Sequence, residues 1–427
     1  MKNIYRILIH WFDHYYLQFI PFFCLLLAIL YLLFIIQQMN YRGVFEYVGI
    51  DFRLLYASGQ IIREHGFSAV YDPTIQARYQ LPLYENFSHY VDGLSLPFWP
   101  LPMPYLPFFI APSTLLTFLS PLPSFILWAT LNAIFTAAYF AIWYKRLSYR
   151  PQVVLILAAS FLVSVPNFLN TLFGQVNLIL MVAMGETLFN LKSGRYLKAG
   201  LWLSIAWIKP QMLILVSLLA ILRRKWHFLV GLATGSVFIG IVSLLEGGLE
   251  GVRGILNTIR TWPTFYRTSG TSWLSAVDHL VIYGVPTSIA TAIGFLLVII
   301  IIFAWIEMVN PRYQTNKGDK EWTSIFLATL LAQLIVMPHA NVHMAMSLAI
   351  PWLLFLCYSS NRLAWLIFLF WAFLSGFIFI LFAQWSVGQA HNLLGMLMLL
   401  AHTSLFLFLY GNQKYQHHMY KNGNYFV

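Results

Sequence analysis

Charged side chains are scarce in this sequence. The 25 Lys and Arg and 14 Asp and Glu residues make up only 9% of 427 residues, whereas soluble globular domains carry about 25%. Hydrophobic residues account for 60%, and the mean hydropathy is +0.72. So few charges cannot cover the water-facing surface of a chain this long, which excludes a soluble enzyme, a disordered scaffold and a DNA-binding basic domain. The composition therefore predicts an all-α, polytopic membrane protein.

Cysteine and nucleotide-binding motifs are also lacking. The two cysteines, Cys24 and Cys357, lie in apolar runs, which indicates packing rather than a disulfide or metal framework. The sequence contains neither GxxxxGK[ST] nor GxGxxG, and Phe52 and Arg53 follow Asp51 where a DxD pair would need a second aspartate. A metal-bound nucleotide-sugar donor has no support here. We expect no cofactor and no metal.

The sequence contains many long apolar runs. A bilayer core needs about 20 apolar residues per helix. Runs of adequate length cover 18–39, 124–144, 151–168, 175–191, 226–245, 286–309, 322–338, 343–358, 363–383 and 387–410. Prolines interrupt 101–119, and Lys209-Pro210 breaks 199–222. We predict one membrane domain over residues 1–427 with about 10–13 transmembrane helices, the first of them an uncleaved span rather than a signal peptide.

The basic residues predict which way these helices point, because Lys and Arg collect in cytoplasmic loops. If 199–222 enters the membrane, turns and returns as a hairpin, 17 of the 25 basic residues face the cytoplasm. A single crossing would place Arg223-Arg224-Lys225 outside. The hairpin layout explains much of the net charge of +11 without nucleic acid. It leaves two long outer loops, 40–100 with juxtamembrane helices and 246–285.

Asp51, about ten residues after the first membrane helix, is the first candidate catalytic residue. The apolar positions of 50–62 suit a helix lying on the membrane interface with Asp51 at its start. A carboxylate beside the bilayer is well placed as a general base toward a lipid-borne substrate. An N-cap role, in which the carboxylate accepts a free backbone N–H, is an equally good interpretation of the spacing.

Lys209 is the second candidate, because an ionisable residue within a membrane segment is costly and is by default a functional hypothesis. Its ammonium could hold a lipid-linked phosphate as a point charge, and Pro210 turns the chain beside it. The alternative is a lysine that extends to the nearer interface.

Two outer-side stretches add polar candidates. His339 and His343 have i, i+4 spacing, which favours a proton relay or a hydrogen bond to substrate over a metal site, since no third ligand follows. Gln175 and Asn177 could bind sugar hydroxyls or could simply begin a helix. Glu186 is interpreted as structural, bonded to a neighbouring helix.

The ordered set of these motifs resembles glycosyltransferase family 87. This family is a branch of the GT-C superfamily of integral-membrane transferases, which includes polyprenyl-phosphomannose-dependent mannosyltransferases. The similarity spans about residues 48–350. It rests on Asp51-Phe52 with Tyr56 and Tyr71-Asp72-Pro73, Pro97-Phe98-Trp99-Pro100 with Ala111-Pro112, Gly174-Gln175-Val176-Asn177, Ala199-Gly200 with Lys209-Pro210, and, more loosely, Pro338 to His343.

The resemblance implies an inverting transfer of a sugar, such as mannose, from a polyprenyl-phosphate donor to a lipid or glycan acceptor. In that view Asp51 is the catalytic base, and His343, with His339 as the alternative, lies near the active site. Lys209, with Arg267 or alternatively Arg253 or Arg260, faces the donor phosphate. Gln175, Asn177, His339 and Tyr56 are candidates for substrate binding.

The expected partners are therefore the lipid-linked donor, the acceptor and membrane lipids. The expected location is a cell membrane, most simply a bacterial inner membrane, with the active site on the outer or periplasmic side. The main rival is a transporter or flippase of lipid-linked sugars, since intramembrane charge and broken helices are also features of transporters.

Overall fold

The computed structural model describes residues 2–42, 45, 47–85, 100–147, 151–261, 270–310, 319–359 and 361–421. Regular structure in these ranges is helical. The α-helices are α1 (Lys2–Arg42), α2 (Ile50–His65), α3 (Pro73–Glu85), α4 (Pro107–Ile110), α5 (Ser113–Leu116), α6 (Pro121–Arg146), α7 (Pro151–Leu162), α8 (Val165–Phe173), α9 (Asn177–Lys192), α10 (Tyr196–Ser204), α11 (Ile214–Leu222), α12 (Trp226–Thr261), α13 (Trp273–Ile282), α14 (Thr287–Val309), α15 (Asp319–Val336), α16 (Ala349–Tyr358), α17 (Arg362–Leu369), α18 (Ser375–Ala383) and α19 (Val387–Lys421). Short 3₁₀ segments connect several of them, and one π-helical turn joins α17 to α18: Ser68–Tyr71, Ile205–Ile208, Pro210–Leu213, Val342–Leu348 and Phe370–Leu374.

Six of the described helical stretches are long and apolar enough to cross a membrane. They are Phe19–Asn40, Pro121–Arg146, Trp226–Thr258, Thr287–Val309, Arg362–Ala383 and Val387–Tyr415. The pair α7 and α8, bent by 45°, would make a seventh. The all-α polytopic fold is thereby confirmed. The count by length is lower than the predicted 10–13, because the other apolar helices have only 10–17 residues.

Several of these shorter apolar helices lie at the centre of the molecule. In α16 every side chain from Ala349 to Cys357 is buried, and α15 is buried without interruption from Ile325 to Val336. The outer spans instead expose large apolar side chains, such as Phe22 and Phe303. A helix that is apolar on all sides is stable inside a protein, whereas exposed apolar stripes suit contact with lipid. The central helices therefore form the core that the longer spans surround.

The segment around Lys209 reverses direction. Lys225 Nζ, after α11, donates to Tyr196 Oη at the start of α10 over 3.0 Å. Trp207 Nε1 donates to Ser236 Oγ over 2.7 Å. These two contacts show that α10 and α12 run parallel and begin at the same end of the molecule. The chain must therefore return between them, and it does so through the two 3₁₀ segments on either side of Lys209.

Basic residues and their partners gather at that same end. Arg146 pairs with Glu186, whose second oxygen accepts from Arg146 Nη2 over 3.3 Å. Arg223 pairs with Glu321 over 3.0 Å. The structural interpretation of Glu186 is confirmed, since its carboxylate joins α9 to α6.

The second long loop is more helical than the apolar pattern indicates. Instead of ending near residue 245, α12 continues to Thr261 through a bend at Gly248, which has φ 60° and ψ −171°. Glycine tolerates this conformation because it lacks a Cβ atom. Further along the loop, α13 occupies residues that the sequence pattern leaves without regular structure.

Candidate active site

Asp51 lies in the first turn of α2, as predicted, but it does not cap the helix. The N-cap is Gly49, in the left-handed conformation with φ 76°, and none of the described side chains caps this helix end. The Gly49 N–H donates to Leu172 O over 2.7 Å, which attaches the start of α2 to α8. The N-cap interpretation of Asp51 is therefore wrong, because the N-cap lies two residues earlier and Ile50 already begins the helix. The Asp51 carboxylate is therefore available for a hydrogen bond with another part of the chain.

The end of α8 presents Gln175 to this carboxylate. Gly174 ends the helix with φ 73°, and the N–H of Gln175 donates back to Asn170 O over 2.8 Å. A Cβ atom on Gly174 would lie 2.5 Å from Phe52 Cβ. Only a glycine therefore allows α2 to pack this closely on the turn. As a result, Gln175 Nε2 donates to Asp51 Oδ2 over 2.5 Å, although 124 positions separate the two residues.

Lys209 reaches the same amide from the other side. It stands at the break between the two 3₁₀ segments with φ −141°, and its O accepts from the N–H of Met212 over 2.8 Å. Its side chain is buried, and Nζ donates to Gln175 Oε1 over 3.3 Å. A continuous hydrogen-bonded chain thus runs from the Asp51 carboxylate through the Gln175 amide to the Lys209 ammonium.

The environment of Asp51 suits a base. Burial raises the pKa of its carboxyl group above the ordinary value of 3.8, against the lowering effects of the Gln175 hydrogen bond and of the Lys209 and Arg53 charges. Removing a carboxylate from water disfavours its charged form, and it therefore binds a proton more readily. A carboxylate with a raised pKa is a stronger proton acceptor than an exposed one.

Tyr105 is a neighbour of Asp51 that the sequence did not single out. It is buried in the proline-rich segment before α4, and its backbone O accepts from Tyr71 Oη over 2.7 Å. Burial raises the pKa of its hydroxyl, and the charge of Asp51 raises it further. The phenol therefore stays protonated beside the carboxylate. The prolines around it in Pro102-Met103-Pro104 indicate a fixed backbone, which is the only signal in the sequence.

The two predicted histidines lie close to Lys209. Burial lowers the pKa of His339 to about 4, with a further contribution from the Lys209 charge. His343 is buried, and its ring packs edge-on against Phe173 with the centroids 6.3 Å apart. Within the part of the chain that the structure describes, His343 Nε2 is buried and accepts or donates no hydrogen bond.

A short antiparallel contact holds this histidine stretch in place. Gly270 and Asn341 form an isolated bridge, and the N–H of Thr271 donates to Ala340 O over 2.6 Å. The segment before α13 is thereby attached to the stretch between α15 and α16. His339, just after α15, lies close to Lys209. Lys209 in turn is linked through Gln175 to Asp51. The end of α15 therefore lies near the starts of α2 and α9.

Other predicted residues lie apart from this chain of hydrogen bonds. Tyr56 Oη donates to Leu119 O over 2.9 Å. Asn177 is fully buried, and its N–H and Nδ2 both donate to Asn170 Oδ1. Arg253 is exposed and pairs with Glu250 over 2.6 Å. Arg267 lies outside the described residues.

The candidate site uses side chains from four separate parts of the chain: the start of α2, the α8–α9 turn, the hairpin and the stretch after α15. Among the described residues, no group of three or more His, Cys, Asp and Glu side chains could hold a metal ion. The site therefore offers a half-buried carboxylate and a buried ammonium, which are joined through one amide.

The fold and this cluster define a multi-pass membrane protein with a polar site built at one end of its helices. The sequence profile of glycosyltransferase family 87 matches residues 104–338, more than half of the chain. The protein belongs to this family and is a membrane glycosyltransferase. The match includes Gln175 and Lys209, whereas Asp51, His339 and His343 lie outside it. Comparisons with curated proteins and with solved structures find no match.

Proposed function

We propose that the protein transfers a sugar from a polyprenyl-phosphate donor to a hydroxyl of a lipid or glycan acceptor, with inversion at the anomeric carbon. Mannose is the first sugar to test. The observation that carries this proposal is the pair of Asp51 and Lys209, held on the two sides of the Gln175 amide. One group can accept a proton and the other can bind a phosphate, which are the two tasks of such a transfer.

In the proposed step, Asp51 takes the proton from the acceptor hydroxyl. The acceptor oxygen forms a bond to the anomeric carbon while the bond between that carbon and the phosphate oxygen breaks. The electron pair of the broken bond stays on the phosphate, and the Lys209 ammonium stabilises the charge that develops there. Because attack and departure occur on opposite faces of the sugar, a single displacement inverts the anomeric configuration.

The surroundings of Lys209 support a lipid-borne donor. On either side of this buried residue, Trp207 and Ile214 are 36% and 48% exposed. Exposed apolar side chains beside a buried cation suit a ligand that has an anionic head and an apolar tail. A polyprenyl phosphate is such a molecule, because its long hydrocarbon chain stays in the bilayer while the phosphate needs a charged partner.

The distribution of basic residues supports a site on the outer side. Gln175 precedes the start of α9, whereas Lys192 is its last residue and Arg195 follows it. The histidine stretch likewise follows α15, whose other end carries the Arg223–Glu321 pair. Since basic residues collect on the cytoplasmic side, the cluster at the opposite ends of these helices faces outward, toward the periplasm if the membrane is a bacterial inner membrane.

The test is transfer by the purified protein in lipid vesicles. A panel of polyprenyl-phosphate sugars, beginning with mannose, is incubated with candidate lipid and glycan acceptors, and products are identified by mass spectrometry. We expect wild-type protein to form one new glycosylated product and Asp51→Asn to form none, with donor binding retained. Asp72→Asn is a matched control in the same loop, because Asp72 is exposed and its carboxylate accepts from the Thr74 N–H over 2.7 Å.

Two outcomes would contradict the proposal. Full activity of Asp51→Asn would remove the proposed base. Absence of transfer from every polyprenyl-phosphate donor would remove the donor class. Glycolipids of cells that lack the protein separate a transferase from a transporter, since loss of one sugar indicates transfer and accumulation of a complete lipid indicates transport.

A further inference from the structure

We propose that Gln175 is a positioning residue, which orients the Asp51 carboxylate and keeps it from pairing directly with the Lys209 ammonium. This role rests on the proposed function, and it differs from the sugar-binding role that the sequence suggests. The motif Gly174-Gln175-Val176-Asn177 would then serve the two charged groups rather than the sugar.

Both ends of the Gln175 amide are engaged. Nε2 donates to Asp51 Oδ2 over 2.5 Å, and Oε1 accepts from Lys209 Nζ over 3.3 Å. The reverse orientation would place the amide oxygen against an acceptor-only carboxylate and the NH₂ group against an ammonium that has only donors. The two charges therefore determine which way the amide points. In return, the amide anchors Oδ2 and leaves Oδ1 for the proton of the acceptor hydroxyl.

The separation matters because the Lys209 ammonium is buried and the Asp51 carboxylate is half-buried. A carboxylate in direct contact with a cation has a pKa lowered by about 1–3 units, which would weaken Asp51 as a base. A lysine ammonium whose charge is already paired with that carboxylate would also bind a phosphate less strongly. An interposed neutral amide satisfies a donor and an acceptor at once, while it leaves each charge available to its substrate group.

The side chain of Gln175 is free to serve this role because the turn does not need it. The turn is made by backbone groups, including the Gln175 N–H that donates to Asn170 O. The side chain is buried and lies between two elements, α2 and the hairpin, that are otherwise distant in sequence. Substitutions of this side chain therefore change the site without removing the turn.

The experiment measures transfer as a function of pH and substrate concentration for two variants. In Gln175→Glu a second carboxylate faces Asp51, and like charges raise a carboxyl pKa. We expect the acidic limb of the rate to move to higher pH by about one unit. In Gln175→Met, which keeps the length but loses both hydrogen bonds, we expect kcat to fall about 10- to 100-fold, with a smaller rise in the donor KM because Lys209 can then pair with Asp51.

The control is Gln384→Glu, because this amide is exposed and bonds only to Gln37 among the described residues. Its pH profile should match that of the wild type. An unchanged acidic limb in Gln175→Glu would overturn the proposal, as would a raised donor KM with normal kcat in Gln175→Met, which indicates sugar binding. If Gln175→Glu is too slow to profile, the kcat and KM of Gln175→Met decide.

Failure of this inference can be distinguished from failure of the proposed function. If Asp51→Asn is inactive but the Gln175 variants behave like the wild type, Asp51 remains the base and only the positioning role is lost. If Asp51→Asn is active, the proposed function itself fails. Since the acidic limb does not depend on the amount of folded protein, a partial loss of folding cannot imitate the expected shift.

Discussion

Gly174→Ala tests whether the packing of α2 on the α8–α9 turn sets the geometry of the site. The substitution adds one methyl group at a position that touches no substrate in the proposed mechanism. The new Cβ atom would lie 2.5 Å from Phe52 Cβ and 3.2 Å from two backbone atoms of the same residue. Because Phe52 follows Asp51 directly, relief of this clash must displace the carboxylate.

The size of the displacement follows from the distances. Ordinary van der Waals contact begins at 3.4 Å, so Phe52 must retreat by about 0.9 Å. An equal retreat of Asp51 would stretch its 2.5 Å hydrogen bond to Gln175 to the limit of hydrogen bonding. A misplacement of about 1 Å can cost about 100-fold in rate. We expect a loss of that order.

Gly194→Ala is the matched control. Gly194 also has a positive φ, 69°, but a Cβ atom there meets nothing within 4 Å. Both variants place alanine in the left-handed region at a cost of about 1–2 kcal/mol. Only Gly174→Ala adds overpacking, which costs about 1–3 kcal/mol more.

The measurements are the transfer rate in lipid vesicles and thermal unfolding of the purified protein. We expect both variants to unfold at a lower temperature than the wild type, and only Gly174→Ala to lose transfer. Normal transfer by Gly174→Ala would refute the argument that this contact positions Asp51. An equal loss in both variants would assign the effect to backbone strain instead.

Four further predictions concern charged residues. Lys209→Met should reduce transfer about 100- to 1000-fold, because it removes the cation at the phosphate. The control Lys414→Met, at a partly exposed pair with Glu307, should leave transfer unchanged. A Lys209→Met rate above a tenth of the wild-type rate would contradict this prediction. The transfer rate should fall as the pH falls through the pKa of Asp51, which burial raises above 3.8. For the same reason ionisation of Asp51 costs stability as the pH rises through that pKa, and Asp51→Asn should therefore unfold no earlier than the wild type at neutral pH; a lower unfolding temperature would disagree. Arg146→Met leaves the buried Glu186 without its cation and should cost about 1–3 kcal/mol of unfolding free energy, part of which Arg146→Met/Glu186→Gln should restore.

The membrane class could be predicted from composition alone, and the position of Lys209 made it a candidate site residue. A chain of this length with 9% charged residues cannot cover a water-facing surface, so few classes other than membrane proteins fit it. A lysine between two apolar runs is easy to notice in such a chain. The hairpin around Lys209 followed from a charge rule rather than from any local pattern. The contacts of Lys225 with Tyr196 and of Trp207 with Ser236 now support it.

Local spacing was less informative about individual polar residues. Asp51 at a helix start fits a cap as well as a base, and only the position of Gly49 as the N-cap separates the two. Asn177 stands two residues after Gln175 and is predicted to bind sugar hydroxyls, yet its amide donates to Asn170 Oδ1 inside the protein. Tyr105 carries no spacing signal, because its proximity to Asp51 depends on the path of the proline-rich segment.

The sequence by itself determined that this protein is helical and crosses a membrane several times, since both follow from the number and length of its apolar runs. Tertiary structure decided which side chains meet. Asp51 and Gln175 are 124 positions apart, and Gln175 and Lys209 are 34 apart. Their contacts exist because a glycine at 174 lets α2 approach the turn and because the hairpin reverses at Lys209. Such contacts depend on how helices pack in three dimensions, and no periodicity along one chain encodes that packing in a readable form.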